Sequence, residues 1–315
     1  MSVHKLPPPA RTESTDVTVS PDVTDDPRAS IPAAGDTGGL GTWRTAVSRR
    51  LTPGAIVALG FILLILLASV APGLLSPHDP YQERTTEVLL APSSSYWFGT
   101  DYLGRDIFSR VIHGTTMSVS SALLAVSIGL VVGSAIGLIS GHYAGRAVES
   151  ALMRFIDTLI AIPGLLLSMA IVVALGFSTV NAAIAVGVSA IAVFARLMRS
   201  EVLRISNLPY LEAAQLIGAR TPALIFSHVL RNSWSSVLAL SILQFGVAIL
   251  AIASLAFLGY GDSPPSPEWG VQVAEGQNYV FAAPWMVIFP SLAIVIAVLS
   301  FNRLSAFIKE VNSDD

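Results

Sequence analysis

Charge is missing from this chain in long blocks, and those blocks decide what it can fold into. No Asp, Glu, Lys or Arg occurs between Arg50 and Asp79, Arg110 and Arg146, Asp157 and Arg196, Arg231 and Asp262, or Glu275 and Arg303. Charged residues make up 12% of the 315, hydrophobic ones 53%. A soluble domain carries about twice that charge, so much of this surface must face lipid. A helix crosses the hydrocarbon with about 20 apolar residues. Four intervals fit one span each. The interval after Asp157 holds 38 residues, with Gly176-Phe177-Ser178-Thr179 near its middle, and reads as two spans joined by a turn. The expectation is an all-α integral membrane protein of six transmembrane helices, at about 54–75, 115–140, 152–175, 180–198, 234–258 and 284–305. Barrel strands would instead alternate apolar and polar residues over about ten positions.

Residues 1–42 differ in kind. They hold Pro7-Pro8-Pro9, Asp25-Asp26-Pro27 and Gly38-Gly39, with few large apolar side chains. Such a segment buries too little surface to offset its ordering entropy. A disordered polar tail is expected there, and it lacks the apolar core of a signal peptide. Residues 43–315 form the membrane domain. With the N-terminus in the cytoplasm, twelve Lys and Arg between Arg44 and Lys309 fall on the inner face, against Arg84, Arg105 and Arg110 outside. That asymmetry places both termini inside. The 76–114 and 259–283 loops then lie outside, and the 199–233 loop lies in the cytoplasm.

Several function classes drop out. A net charge of −3 is wrong for a nucleic-acid binder. The chain has no cysteine, so thiolate metal sites and cysteine nucleophiles are excluded. His4, His78, His113, His142 and His228 are scattered with no HxxxH or HExxH spacing, so no metal site is expected. No Gly-x-x-x-x-Gly-Lys-Ser/Thr phosphate loop is present, so the chain does not hydrolyse ATP itself.

The 199–233 loop is the most informative segment. Helix-forming residues run from Tyr210 to Ile217, Gly218 offers a stop, and Pro222 suits the first turn of a second helix. A short helix, a glycine bend and another helix would project as a knob, with Leu211, Leu216 and Ile217 suited to a partner's groove. The spacing alone also fits an amphipathic loop lying on the bilayer.

Glu212-Ala213-Ala214, with Gly218 following, resembles the EAA loop of ABC-importer permease subunits. Ile225, His228, Leu230 and Asn232 resemble its continuation, while Arg231 stands where that family usually has proline. Trp97-Phe98-Gly99-Thr100-Asp101-Tyr102-Leu103-Gly104-Arg105-Asp106 resembles the outer-loop signature of the dipeptide/oligopeptide/nickel permeases. The run Ser254 to Gly261, then Pro264 to Gly270, is similar to the segment after their fifth span, and Asp157 with Pro163 to the start of their third. The short first outer loop and Phe301-Asn302-Arg303-Leu304 resemble the C-type subunit.

The resemblance covers about 45–310 and implies a type I ABC-importer permease fold. The chain would be a non-catalytic subunit taking up di- or oligopeptides, or a related small solute, across a bacterial cytoplasmic membrane. It implies a second, B-type permease as heterodimer partner, an extracytoplasmic solute-binding protein, and a separate ATPase carrying ATP and Mg. No cofactor is implied on this chain. The ATPase would receive the 208–222 knob, with Tyr210, Glu212, Ala213, Ala214 and Gly218 as coupling residues. Glu212 would meet a basic residue of the ATPase, or pair with Arg220 or Arg204 in its own loop. Gly218 would set the bend, having no Cβ to hinder a left-handed conformation.

Other residues carry two readings each. Asp157 is an intramembrane carboxylate, a functional candidate by default, but Arg154 three residues earlier could pair with it. The outer motif Gly99, Thr100, Asp101, Gly104, Arg105 and Asp106 holds a local ion-pair cluster that fixes the loop or docks the binding protein. Trp97 and Trp285 suit an interfacial belt, and Pro163 and Pro290 are candidate kinks inside spans. Gly129, Gly133 and Gly137 recur every four residues and let a helix approach closely, either within the chain or against the second permease. The competing reading, a secondary transporter or channel not coupled to ATP, needs carboxylates or broken helices at the midplane. Asp157 is the sole carboxylate available and lies near one end. An intramembrane enzyme needs a nucleophile and base at matching depth, and no such set appears.

Overall fold

The computed structural model describes residues 53–206 and 230–312, apart from several side chains at 230–235 and those of 311 and 312. All of these belong to the unit Thr45–Asp315. The 1–42 tail and the coupling residues Tyr210, Glu212, Ala213, Ala214 and Gly218 lie outside the described residues.

Among the described residues the structure is helical, and the only strand-like feature is an isolated bridge between Thr100 and Asp106. The helices are α1 (Pro53–Val70), α2 (Pro72–Leu75), α3 (Ile107–His142), α4 (Ala147–Ala161), α5 (Gly164–Leu175), α6 (Thr179–Ser206), α7 (Leu230–Phe257), α8 (Trp269–Gly276) and α9 (Trp285–Asn312). Five of them, α1, α3, α6, α7 and α9, are long and apolar enough to cross a membrane. The pair α4 and α5 makes a sixth crossing when taken as one bent span. The loops 76–106, 176–178 and 258–284 gather at one end, called the capped end below. There the Thr179 amide donates to Asp262 at 3.1 Å, and Arg105 donates to Glu275 at 3.0 Å.

The third span, expected over 152–175 with Pro163 as a candidate kink, is broken into two helices at that proline. Pro163 has no N–H to donate and its ring crowds the carbonyl four residues back, so a helix cannot continue through it unbroken. Proline also pushes the preceding residue out of the helical region, and Ile162 is extended at φ −91°, ψ 126°. Consequently α4 ends at Ala161, α5 begins at Gly164, and the two are bent by 93°. Pro290 acts differently: α9 runs through it without a break.

Two helices reach eight residues further at one end than hydrophobicity suggested. The first begins eight residues before the expected 115, at Ile107, where Asp106 caps it by accepting from the Ser109 amide at 3.1 Å. Its first turn therefore belongs to the cap and carries Arg110 there. The other, α6, runs on to Ser206, into the segment read as loop. The 259–283 segment, expected as a loop, contains α8, capped by the Glu268 side chain on the Val271 amide at 2.9 Å.

The tightest packing joins α3 and α6. A Cβ at Gly133 would lie 2.5 Å from the Ile191 carbonyl oxygen, and one at Gly137 would lie 2.5 Å from that of Ala195. Gly129 faces Ala190 and Phe194, Gly141 faces Val202, and Gly187 on α6 faces the Ala125 backbone. Lipid tails are as apolar as leucine, so helices in a membrane associate through such close van der Waals approach and not through burial from water. The glycine repeat is therefore occupied within the chain, which corrects the alternative that set it against a second permease.

Candidate functional site

The outer-loop motif forms a platform held by its own backbone. Gly99 and Gly104 have φ of 77° and 75°, and a Cβ at Gly104 would lie 2.0 Å from the Arg84 carbonyl oxygen. Side chains other than glycine rarely adopt such φ values. Thr100 is fully buried; its hydroxyl accepts from the Leu90 amide at 2.8 Å and its carbonyl accepts from the Trp285 indole at 3.1 Å. Trp285 is thus part of the platform, whereas Trp97 is 58% exposed and packs edge-on against Phe108.

On this platform four charged side chains meet out of solvent. Asp101 accepts from the Leu103 and Arg105 amides at 2.8 and 2.9 Å and from Arg105 Nε at 2.6 Å. Arg105 also donates through Nη2 to Glu275 at 3.0 Å. Arg110 donates to the other Glu275 oxygen at 2.5 Å and approaches Asp101 at 3.8 Å. The Tyr102 hydroxyl donates to Glu275 at 3.0 Å. Every member is under a tenth exposed: Arg105 0%, Arg110 2%, Asp101 4% and Glu275 7%. Two carboxylates face two guanidiniums, so the quartet is neutral.

The sequence grouped Asp101, Arg105 and Asp106. The structure keeps the first two together and separates the third, because Asp106 caps α3 and faces His78 Nδ1 at 3.2 Å. Sequence reasoning missed Glu275 and Arg110, which border charge-free intervals and looked like ordinary span flanks. The quartet ties the first loop to α8, about 170 residues later, so it fixes the cap as one piece.

Close contacts seat α8 on α3. The Trp269 indole donates to the Val111 carbonyl at 2.9 Å, and the Gln272 amide to that of Arg110 at 3.0 Å. Glu268 is 1% exposed; it accepts from the Val271 amide at 2.9 Å and the Ser118 hydroxyl at 3.3 Å. No cation pairs with it among the described residues. Burial pushes its carboxyl above the ordinary glutamate range, against those hydrogen bonds. The folded state then binds more protons than the unfolded state between the ordinary and the raised value. Glu268 therefore contributes a stability term that falls as pH rises through that window. Glu268→Gln should remove the fall and leave the chain at least as stable near neutrality. Thermal unfolding in detergent from about pH 4 to about pH 8 checks this, and equal slopes for both proteins would refute it.

At the opposite end the bend lays α4 beside α6. Asp157 pairs there with Arg196 at 2.7 Å, both side chains more than half exposed. This replaces the expected partner Arg154. Glu149 accepts from Arg199 Nε at 2.9 Å, and Glu201 pairs with Arg204 at 2.7 Å. Asp157 thus belongs to a strap between two helices and is separate from the quartet. Arg204, one of the candidate partners for Glu212, is already engaged within α6.

No group of three or more His, Asp or Glu among the described residues is arranged to hold a metal ion. His78 faces Asp106, His113 faces the Ser109 carbonyl at 3.0 Å, and His142 packs on Tyr143.

Residues 133–312 match the family described as "Binding-protein-dependent transport system inner membrane component". The chain is 38% identical over 281 residues to the glutathione transport system permease protein GsiD of Pectobacterium atrosepticum, covering 88% of this chain and 92% of that one. It is 37% identical to the dipeptide transport system permease protein DppC of Alkalihalophilus pseudofirmus, covering 83% and 86%. It is 39% identical to the probable D,D-dipeptide transport system permease protein DdpC of Escherichia coli K12, covering 82% and 87%.

Proposed function

The chain belongs to the binding-protein-dependent transport system inner membrane components, and we propose that it is the C-type permease subunit of an ATP-driven importer of di- or oligopeptides. The observation that carries the substrate class is the alignment, over more than four-fifths of the chain, with dipeptide and glutathione permeases. It acts in the cytoplasmic membrane of a bacterium, beside a B-type permease and below a solute-binding protein that delivers the cargo to the capped end. Its own residues perform no chemistry. ATP and Mg belong to a separate ATPase at the 199–233 loop, where Tyr210, Glu212, Ala213, Ala214 and Gly218 form the contact. Both termini, including the polar 1–42 tail, lie on the ATPase side.

Mechanically, the ATPase pulls on the loop between α6 and α7. The movement enters through α6, whose exit from the membrane is strapped to α4 by Asp157–Arg196 and Glu149–Arg199. The buried quartet at the other end holds the cap as a fixed surface for the binding protein.

The test is purification of the tagged chain in mild detergent, wild type against Gly218→Pro. Wild type should bring down a second six-span permease and an ATPase, and the variant should recover the permease with several-fold less ATPase. A lone chain in both samples after crosslinking would favour a self-contained transporter or channel instead.

A further inference from the structure

One cavity in the membrane domain has a wall that hydrocarbon cannot satisfy. It lies between α3, α5, α6 and α7 and encloses about 300 Å³. Most of its lining is apolar, from Ala125 and Val126 to Val247 and Ala251. Three polar side chains break that lining: Ser168 on α5, Ser189 on α6 and Gln244 on α7. The two serine hydroxyls are 3.1 Å apart, and Ser189 also reaches the Gly164 and Ala185 carbonyls at 3.3 Å each.

Gln244 has no such company. It lies within the apolar span Ser236–Phe257, about 12 Å along the axis from the nearer end of that segment. It is half-buried against the cavity, and among the described residues its amide has no hydrogen-bond partner. An amide left unpaired in an apolar medium costs about 2–7 kcal/mol. Polar side chains at this depth therefore face a water-filled space or another polar group. A carboxamide sets a carbonyl acceptor beside an NH2 donor on a flat fork, and a peptide unit answers with one N–H donor and one C=O acceptor. Among the described residues no charged side chain lines the cavity, so contact there is blind to the charge of a cargo side chain.

We infer that this cavity is a water-filled station on the cargo path, where Gln244 exchanges hydrogen bonds with the backbone amides of a passing peptide beside the Ser168–Ser189 pair. The inference rests on the importer reading above and adds to it a place and a recognition chemistry. Gln244 is a contact that cargo exchanges for water. The bend at Pro163 serves it by ending α4 and starting α5 at Gly164, on the cavity wall.

The chain has no cysteine, so a single introduced thiol is the sole one on this subunit. The assembled complex, in proteoliposomes with its binding protein, is treated with a charged, membrane-impermeant thiosulfonate, and modification is read on this chain. The reagent needs a thiolate, which forms in water and not in lipid. Gln244→Cys should react on the order of tenfold faster than Leu63→Cys, a 59%-exposed position in the apolar α1. Alanylalanine with the binding protein should slow the reaction several-fold. Gln244→Leu should lower alanylalanine uptake several-fold with the ATPase still recovered, and Gln244→Asn should restore part of it.

A Gln244→Cys thiol as inert as Leu63→Cys, because lipid or a partner permease fills the space, overturns the inference. So does unprotected labelling, or wild-type uptake by Gln244→Leu. Wild-type complex that takes up no alanylalanine overturns the importer reading of this substrate class, and with it the cargo contact, whatever the labelling shows. An inert thiol in a complex that does transport overturns the inference alone.

Discussion

Glu275→Ala should cost the chain its cap. Glu275 accepts from Arg105, Arg110 and Tyr102, and all four side chains of the quartet are under a tenth exposed. Truncation leaves two buried guanidiniums sharing the Asp101 carboxylate, with Arg110 also holding the Pro265 and Ser266 carbonyls at 3.4 Å each. Removing one partner of a buried ion pair costs about 3–5 kcal/mol, because the other charge stays behind. For a domain of this size, that lowers the unfolding midpoint on the order of 10 °C. The Arg110→Met, Glu275→Met double variant should recover most of the loss. It removes one charge of each sign and leaves Asp101 bound to Arg105, whose Nε bond is 2.6 Å. Thermal unfolding of the two proteins in the same detergent decides the matter. A drop of less than about 2 °C for Glu275→Ala would mean that water enters and substitutes for the carboxylate.

Gly133→Leu should abolish the assembled membrane domain. Any Cβ at this position falls 2.5 Å from the Ile191 carbonyl oxygen, 2.7 Å from the Phe194 Cβ and 3.1 Å from the Ala195 amide. Two of those neighbours are backbone, so no rotamer change makes room. Overpacking a close-fitted contact by a methyl costs about 1–3 kcal/mol, and leucine adds three more carbons to the same gap. The control is Gly60→Leu on α1, where a Cβ meets nothing within 4 Å among the described residues. Extraction from membranes followed by size-exclusion chromatography should give a folded peak for Gly60→Leu and aggregate for Gly133→Leu. A normal peak for Gly133→Leu would show that α3 and α6 separate at little cost.

The spans were legible because charge cannot be hidden in lipid, so its absence marks each crossing without reference to any partner. Helix α3 shows where that logic stops. It begins eight residues early because Arg110, which reads as a boundary, is neutralised by a carboxylate far along the chain. Glu275 was illegible for the same reason, since nothing local in the sequence distinguishes a flank charge from half of a buried pair. Pro163 was visible, yet whether a proline kinks or ends a helix depends on tertiary packing, and Pro290 gives the opposite outcome. The spacing of Gly129, Gly133 and Gly137 announced a close approach without naming its partner. Gln244 carried no signal of its own in the sequence, since Asn232 is a second amide in the same charge-free block, and its meaning needed the cavity beside it.

The glycine repeat also limits how the subunit can move. Between the glycines of α3 stand Leu130, Val131 and Val132, then Ser134, Ala135 and Ile136, all bearing a Cβ. Sliding α3 along α6 by one residue would bring one of these to a spot where the facing backbone leaves no room for it. The next register that fits is four residues away, about 6 Å along the axis. Graded slippage between the two helices is therefore blocked, and α3 and α6 must travel together as one body. Changes of shape in this subunit must be taken up at its other joints.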